Sequence, residues 1–304
     1  MNKVDIIKCN ACPKRCNVLR QLSAVPGQAD GRCGMGRLPV VARAAAHFGE
    51  EPCISGTQGS GAVFFTGCSL GCVFCQNIDI SHRYFGREVT IPRLREIFAR
   101  LIDSGVHNIN LVNPTHFVTA IAKALEQHLP VPVVYNSSGY ERVESLRLLA
   151  DKVQVYLPDY KYALAEPAQL YSGAADYPQV AVAALVEMFR QRGAYQLDDS
   201  GLMQSGLLIR HLVLPGNLTN TFRVIDWLVQ NFQPGEVMFS LMGQYTPCGD
   251  LSAFPELQQP LTVEEYTQAE EYLLATGWED GYLQEPEAAG LEAVPLFDLT
   301  GVDF

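Results

Sequence analysis

With 304 residues, 48% of them hydrophobic and only 18% charged, the chain holds enough apolar material for a large core, which argues against a disordered polypeptide. A net charge of −11 repels phosphate backbones, so a general nucleic-acid binder is not expected. No apolar run reaches the roughly 18 residues of a membrane helix, and the opening MNKVDIIKCNAC lacks a signal-length apolar core, so a cytoplasmic protein without membrane contact is expected.

The first 55 or so residues are rich in Cys, Gly and Pro, with little helical or strand period. Cys9, Cys12, Cys16 and Cys33 are spaced C-x2-C-x3-C-x16-C. Four thiols close a tetrahedral zinc site, and the same number holds an auxiliary iron–sulfur cluster; the spacing leaves both open. Residues 1–55 are therefore expected to be a small metal-binding module, too poor in apolar residues to fold unaided. Cys53 and Cys248 are left over as buried thiols or a spare ligand.

From Gly61 onward short apolar runs alternate with amphipathic stretches. Strands are predicted at 62–66, 107–112, 131–136, 152–157, 207–215 and 236–242. Helices are predicted at 92–104, 116–128, 142–150, 177–192, 220–232 and 262–277, the first with Leu94, Ile97, Phe98, Leu101 and Ile102 on one face. Six βα units imply parallel strands joined by right-handed crossovers. Periodicity leaves a doubly wound sheet and a barrel equally open, and either gathers ligands at the C-terminal ends of its strands. This α/β body is expected to span 56–280, with the tail 281–304 packing over it.

Immediately after the first predicted strand comes FFTGCSLGCVFCQN, placing Cys68, Cys72 and Cys75 in a C-x3-C-x2-C loop. Soft thiolates select zinc, copper(I) or iron–sulfur clusters. Three protein ligands on a cubane leave one iron free for chemistry, and Gly67 and Gly71 let the backbone curl around it. A structural zinc knuckle with a distant fourth ligand such as Cys53 is the alternative.

Other strand ends carry polar groups. Asn136, Ser137 and Ser138 suit a ribose or a carboxylate, or serve as turn and capping residues. Asp159 and Lys161 reach one side of their strand, as ligands or as a plain salt bridge. Arg210 lies in the otherwise apolar LLIRHLVLP and needs an anionic partner, while alternation turns His211 toward the helix layer. Thr115 is a candidate helix N-cap, His116 a proton donor or a helix-start residue, and Gln244 and Tyr245 candidates for a substrate mouth.

Together GSGAVFFTGCSLGCVFCQN, HNINLVNPTHF, VVYNSSGYE, VYLPDYKY and RHLVLPGNLTN resemble the radical S-adenosylmethionine superfamily. Within it they resemble relatives of the pyruvate formate-lyase activating enzyme that carry an N-terminal cysteine module. The resemblance implies a (β/α)6 partial TIM barrel and a [4Fe-4S] cluster on Cys68, Cys72 and Cys75 that reductively cleaves S-adenosylmethionine. It implies Phe74 against the adenine, with Asp159, Lys161 and Arg210 on the ribose and carboxylate. The family's Gly-Gly-Glu segment for the cofactor's amino group is missing here; Asn113 and Thr115 are the candidate replacements. An electron donor such as flavodoxin or ferredoxin and a protein or peptide substrate are further implications. A small-metabolite substrate and a non-catalytic iron–sulfur carrier are the competing readings.

Overall fold

The computed structural model describes residues 8–285 and 295–304. The part of the expected tail at 286–294 lies outside the described residues. In chain order the strands are β1 (Val40–His47), β2 (Ser60–Phe65), β3 (Arg87–Glu88), β4 (Ile109–Val112), β5 (Val133–Ser137), β6 (Val155–Pro158), β7 (Gln196–Leu197), β8 (Met203–Leu212), β9 (Met238–Met242) and β10 (Gly281–Gln284). The helices are α1 (Pro52–Ser55), α2 (Ile78–Ser81), α3 (Ile91–Asp103), α4 (Val118–Ala124), α5 (Val143–Leu146), α6 (Ala165–Ser172), α7 (Tyr177–Arg192), α8 (Leu218–Asn231) and α9 (Val263–Ala275).

All six predicted strands form, as β2, β4, β5, β6, β8 and β9, and all are parallel. They stand side by side in chain order, with β10 added as a seventh parallel strand beyond β9. Along these parallel strands the order never reverses, which distinguishes this sheet from a doubly wound one. Among the described residues no ladder joins β10 to β3, so the sheet is mostly parallel, barrel-like and open.

The helices form where apolar spacing and caps agree. In α3 the Thr90 hydroxyl accepts from the Arg93 amide at 3.3 Å, and Leu94, Ile97, Phe98 and Leu101 are buried. In α9, Thr262 and Glu265 form a reciprocal capping box. Helix α4 stops at Ala124, short of the predicted 128, where Leu125 leaves helical backbone with φ −94° and ψ +22°. No helix among the described residues is long and apolar enough to cross a membrane.

The expectation of an irregular stretch up to residue 55 needs correction. Residues 40–47, VVARAAAH, form β1, which pairs antiparallel along β2. Its alanines have low strand propensity, so the segment reads as featureless in isolation; pairing with the buried β2 decides it. The chain then turns inward through Glu50 and Glu51, and α1 places Cys53 and Ile54 against Val134, Val155, Leu157, Leu208 and Met238. That cluster is the apolar floor of the sheet's concave face, while the larger core lies between sheet and helices. Within Lys8–Pro39 there is no helix, and strand pairing is limited to one bridge between Lys8 and Leu19.

Candidate active site

A cavity of about 290 Å³ opens above the apolar floor, lined by residues at the C-terminal ends of β2, β4, β5, β6, β8, β9 and β10. Cys68, Cys72, Cys75 and Phe74 form one wall. Asn113, Asn136, Ser137, Ser138, Asp159, Lys161, Arg210 and Gln244 come from the strand ends, and Glu50 and Glu51 from the loop after β1.

Each of the three thiols receives a hydrogen bond. The Gly71 amide donates to Cys68 Sγ at 3.4 Å, the Ser81 hydroxyl to Cys75 Sγ at 3.3 Å and the Ser172 hydroxyl to Cys72 Sγ at 3.1 Å. Burial pushes the Cys75 thiol up to about 12 and raises Cys68 as well. Thiols this reluctant to ionise become thiolates only beside strong positive charge, and the donors aimed at their sulfurs are the kind that stabilise such thiolates. The donor set therefore suits a metal cluster. Among the described residues, however, no group of three or more His, Cys, Asp or Glu is already arranged to hold a metal ion.

The loop around the thiols is shaped by its glycines. Gly67 has φ +85°, and a Cβ there would meet the Cys33 carbonyl oxygen at 2.8 Å. The N-terminal stretch thus packs directly on this loop, where Arg32 also donates to the Leu70 carbonyl at 3.0 Å. Cys9, Cys12, Cys16 and Cys33 lie within electrostatic reach of one another; burial pushes Cys12 up to about 12 and raises Cys33. The Arg32 amide donates to Cys16 Sγ at 3.4 Å.

Opposite the thiols is a charged network. Arg210 donates from Nε to Asp159 Oδ1 at 3.0 Å, from Nη1 to Glu50 Oε2 at 2.8 Å and from Nη2 to Asn136 Oδ1 at 2.6 Å. Lys161 Nζ reaches Asp159 Oδ2 at 2.7 Å. Burial alone would raise Asp159, but the Lys161 and Arg210 charges outweigh it and hold the carboxyl below its usual range. Glu50 Oε1 accepts from Asn110 Nδ2 and Asn136 Nδ2, both at 3.0 Å. Beside it Glu51 is 2% exposed, and burial, reinforced by the Glu50 charge, raises its carboxyl. Two cations thus meet two partnered carboxylates, with Glu51 shifted toward its neutral form. Glu51 Oε2 and Ser138 Oγ are buried without a partner among the described residues, and both residues line the cavity.

The anionic partner that Arg210 needs, for which a cofactor carboxylate is one candidate, comes from Glu50 and Asp159 within the chain. Glu50 and Glu51 escaped the sequence reading because GEEPC lies in the stretch taken as irregular. His211 turns outward, with Nδ1 2.7 Å from the Tyr160 carbonyl and Nε2 3.0 Å from the Thr221 hydroxyl of α8. Thr115 does not reach the cavity. Fully buried, it donates to Glu141 Oε1, a carboxyl that burial pushes up to about 7 and that also accepts from Tyr135 Oη at 3.3 Å. Asn113 does line the cavity, its φ of +60° turning the chain off β4 and its amide donating to the Gly67 carbonyl. Phe74 is held edge-on between Tyr171 and Tyr245, with ring centroids 6.3 and 6.0 Å away. Tyr245 is 1% exposed and donates to the Leu257 carbonyl at 2.6 Å, so it supports the wall rather than lining a mouth. Cys53 lies in the apolar floor and not among the cavity-lining residues, so it is not a fourth ligand to the three thiols.

Fold and site define an α/β protein with a mostly parallel sheet and a three-thiol, charge-lined cavity at its strand ends. No family model matches the chain. The uncharacterized protein MJ0674 of Methanocaldococcus jannaschii is 31% identical over 282 residues, covering 88% of this chain and 76% of that protein. The chain belongs to the family of that archaeal protein. Among solved structures, Streptococcus suis SuiB bound to S-adenosylmethionine aligns with TM-score 0.48 and 11% identity over 78% of this chain. The chain spans about half of SuiB, 52% of its length. Methylornithine synthase (PylB) aligns with TM-score 0.44 and 15% identity over 73% of this chain and 70% of its own. QueE from Escherichia coli aligns with TM-score 0.42 and 10% identity over 82% and 94%. At such identities and scores no property of those proteins transfers to this chain.

Proposed function

We propose that the chain is a radical S-adenosylmethionine enzyme whose cluster is held by Cys68, Cys72 and Cys75. The observation that carries the reading is the convergence on one cavity of three hydrogen-bonded thiols and a polar ring drawn from several strand ends. A [4Fe-4S] cluster with one open iron would supply the electron that splits the sulfonium of S-adenosylmethionine and so generates a hydrogen-abstracting radical. The chain's own residues position the reactants. Phe74 offers an aromatic wall for the adenine. Ser138 Oγ and Glu51 Oε2 hold unused hydrogen-bonding capacity for the ribose and amino groups. Lys161 and Arg210, already poised on Asp159, can redistribute toward a carboxylate. The apolar floor keeps water from the reacting centre.

A protein or peptide is the proposed substrate, as the resemblance to the activating enzymes implies. The cavity's roughly 290 Å³ supports it: at the low end for ligand pockets, it leaves little room for a second whole molecule beside the cofactor. The reductant is proposed to be a flavodoxin or ferredoxin. Cys9, Cys12, Cys16 and Cys33 are proposed as a second metal site beneath the cluster loop.

Anaerobic reconstitution tests this. About four irons with one zinc, or about eight irons, are expected per chain, with the reduced cluster's EPR spectrum shifting on addition of S-adenosylmethionine and 5′-deoxyadenosine accumulating. Cys72→Ser should remove about four irons and abolish both signals. A spectrum indifferent to S-adenosylmethionine would reject the proposal.

A further inference from the structure

A feature not absorbed by the site above is a second cavity of about 330 Å³. Its walls are the N-terminal stretch, the start of α3, the short turn Thr115–Phe117 and α4. Four cations line it, Lys8, Arg20, Arg37 and Lys123, and no Asp or Glu does, in a chain of net charge −11. None of the four forms an ion pair among the described residues, whereas most arginines elsewhere do. Arg20 is committed to the Met35, Gly36 and His116 carbonyls, but the Arg37 Nε is buried with no partner.

The second observation is His116, which is 1% exposed and lines the same cavity. Its Nε2 stands 2.8 Å from the Thr66 carbonyl oxygen. A carbonyl only accepts, so Nε2 carries the hydrogen and Nδ1 is a bare acceptor. That Nδ1 is buried and has no partner among the described residues. Buried polar atoms are nearly always satisfied, so an orphan acceptor and an orphan guanidinium nitrogen on two residues that line one cavity point to a binding place. Leu38, Ile91 and Phe117 add an apolar wall.

We propose that this cavity binds a small organic anion that carries a hydroxyl next to its anionic group and an apolar body. The anion answers Arg37, Lys8 and Lys123, the hydroxyl donates to His116 Nδ1, and the body lies on the Phe117 side. A 2-hydroxy carboxylate has this layout. The site is separate from the strand-end cavity, although Cys9, proposed above as a ligand of the second metal site, also lines it.

Titration calorimetry on the full chain with mandelate and phenylacetate, which differ only in that hydroxyl, tests the proposal. Mandelate is expected to bind about tenfold more tightly than phenylacetate, the effect of one buried hydrogen bond. Lys123→Glu, a change at an exposed side chain, and Arg37→Gln should each weaken mandelate by about fivefold or more, while Lys161→Met in the other cavity should not. Equal affinity for the two acids would overturn the assignment. So would the absence of saturable binding up to about 50 mM, or binding lost in Lys161→Met and kept in Lys123→Glu.

Discussion

Replacing Glu50 by Gln removes one of the two carboxylates that face Arg210 and leaves the surrounding shape almost unchanged. The side chains of Arg210 and Glu50 are 14% and 8% exposed and meet at 2.8 Å. Removing one member of a buried pair costs about 3–5 kcal/mol because the other charge is left without compensation. Two features reduce that here. The Gln carbonyl can still accept from Asn110 and Asn136, and Asp159 still holds Arg210 Nε. We expect a loss of about 2–3 kcal/mol, which in a chain of this length lowers Tm by about 3–5 °C. Arg210→Met should be at least as costly, since it leaves Glu50 facing no cation. The double variant keeps the Asp159–Lys161 pair and has no stranded charge, so it should be less destabilised than the sum by about 1.5–3 kcal/mol. Urea denaturation of the four proteins at neutral pH measures this coupling. Effects that add within about 0.5 kcal/mol would refute the network as drawn.

Glu141 makes stability pH-dependent in a definite direction. Its folded pKa of about 7 lies above the ordinary 4.5, so its protonated form favours folding. That contribution is complete below about pH 4.5 and is lost as pH rises through about 7. Glu141→Gln should therefore gain on the wild type by roughly 3 kcal/mol across this interval, and parallel stability curves would contradict the assignment. Backbone geometry gives another contrast. Gly139 has φ +71°, and a Cβ there would collide with the Asp159 carbonyl oxygen; Gly173 has φ +57° with nothing within 4 Å. Thermal denaturation should show Gly139→Ala losing at least about 2 kcal/mol more than Gly173→Ala, whose cost is the roughly 1 kcal/mol of left-handed strain alone.

How much of this was legible beforehand varies by element. The six parallel strands were readable because continuous apolar runs such as INLV and VVYN need no partner to identify them. Strand β1 was not, because an alanine-rich segment becomes a strand only when β2 offers its edge. Likewise the alternation in LLIRHLVLP placed Arg210 and His211 on opposite faces, but Arg210's partners lie 160 and 51 residues away along the chain. Thr115, in the sequence a candidate cofactor ligand or helix N-cap, is buried on Glu141, a contact that depends on how β5 and its following loop pack.

By itself, then, the amino-acid order determined what is local: strand and helix periods, the spacing of Cys68, Cys72 and Cys75, and the loop glycines that let them face one way. Tertiary structure alone decided which charges neutralise one another, which thiols receive hydrogen bonds from Ser81 and Ser172, and that the turn through Glu50 enters the concave face. The reason is physical. Periodicity and ligand spacing are set by neighbours a few residues apart, whereas burial and charge pairing depend on groups that only the folded sheet brings within 3 Å.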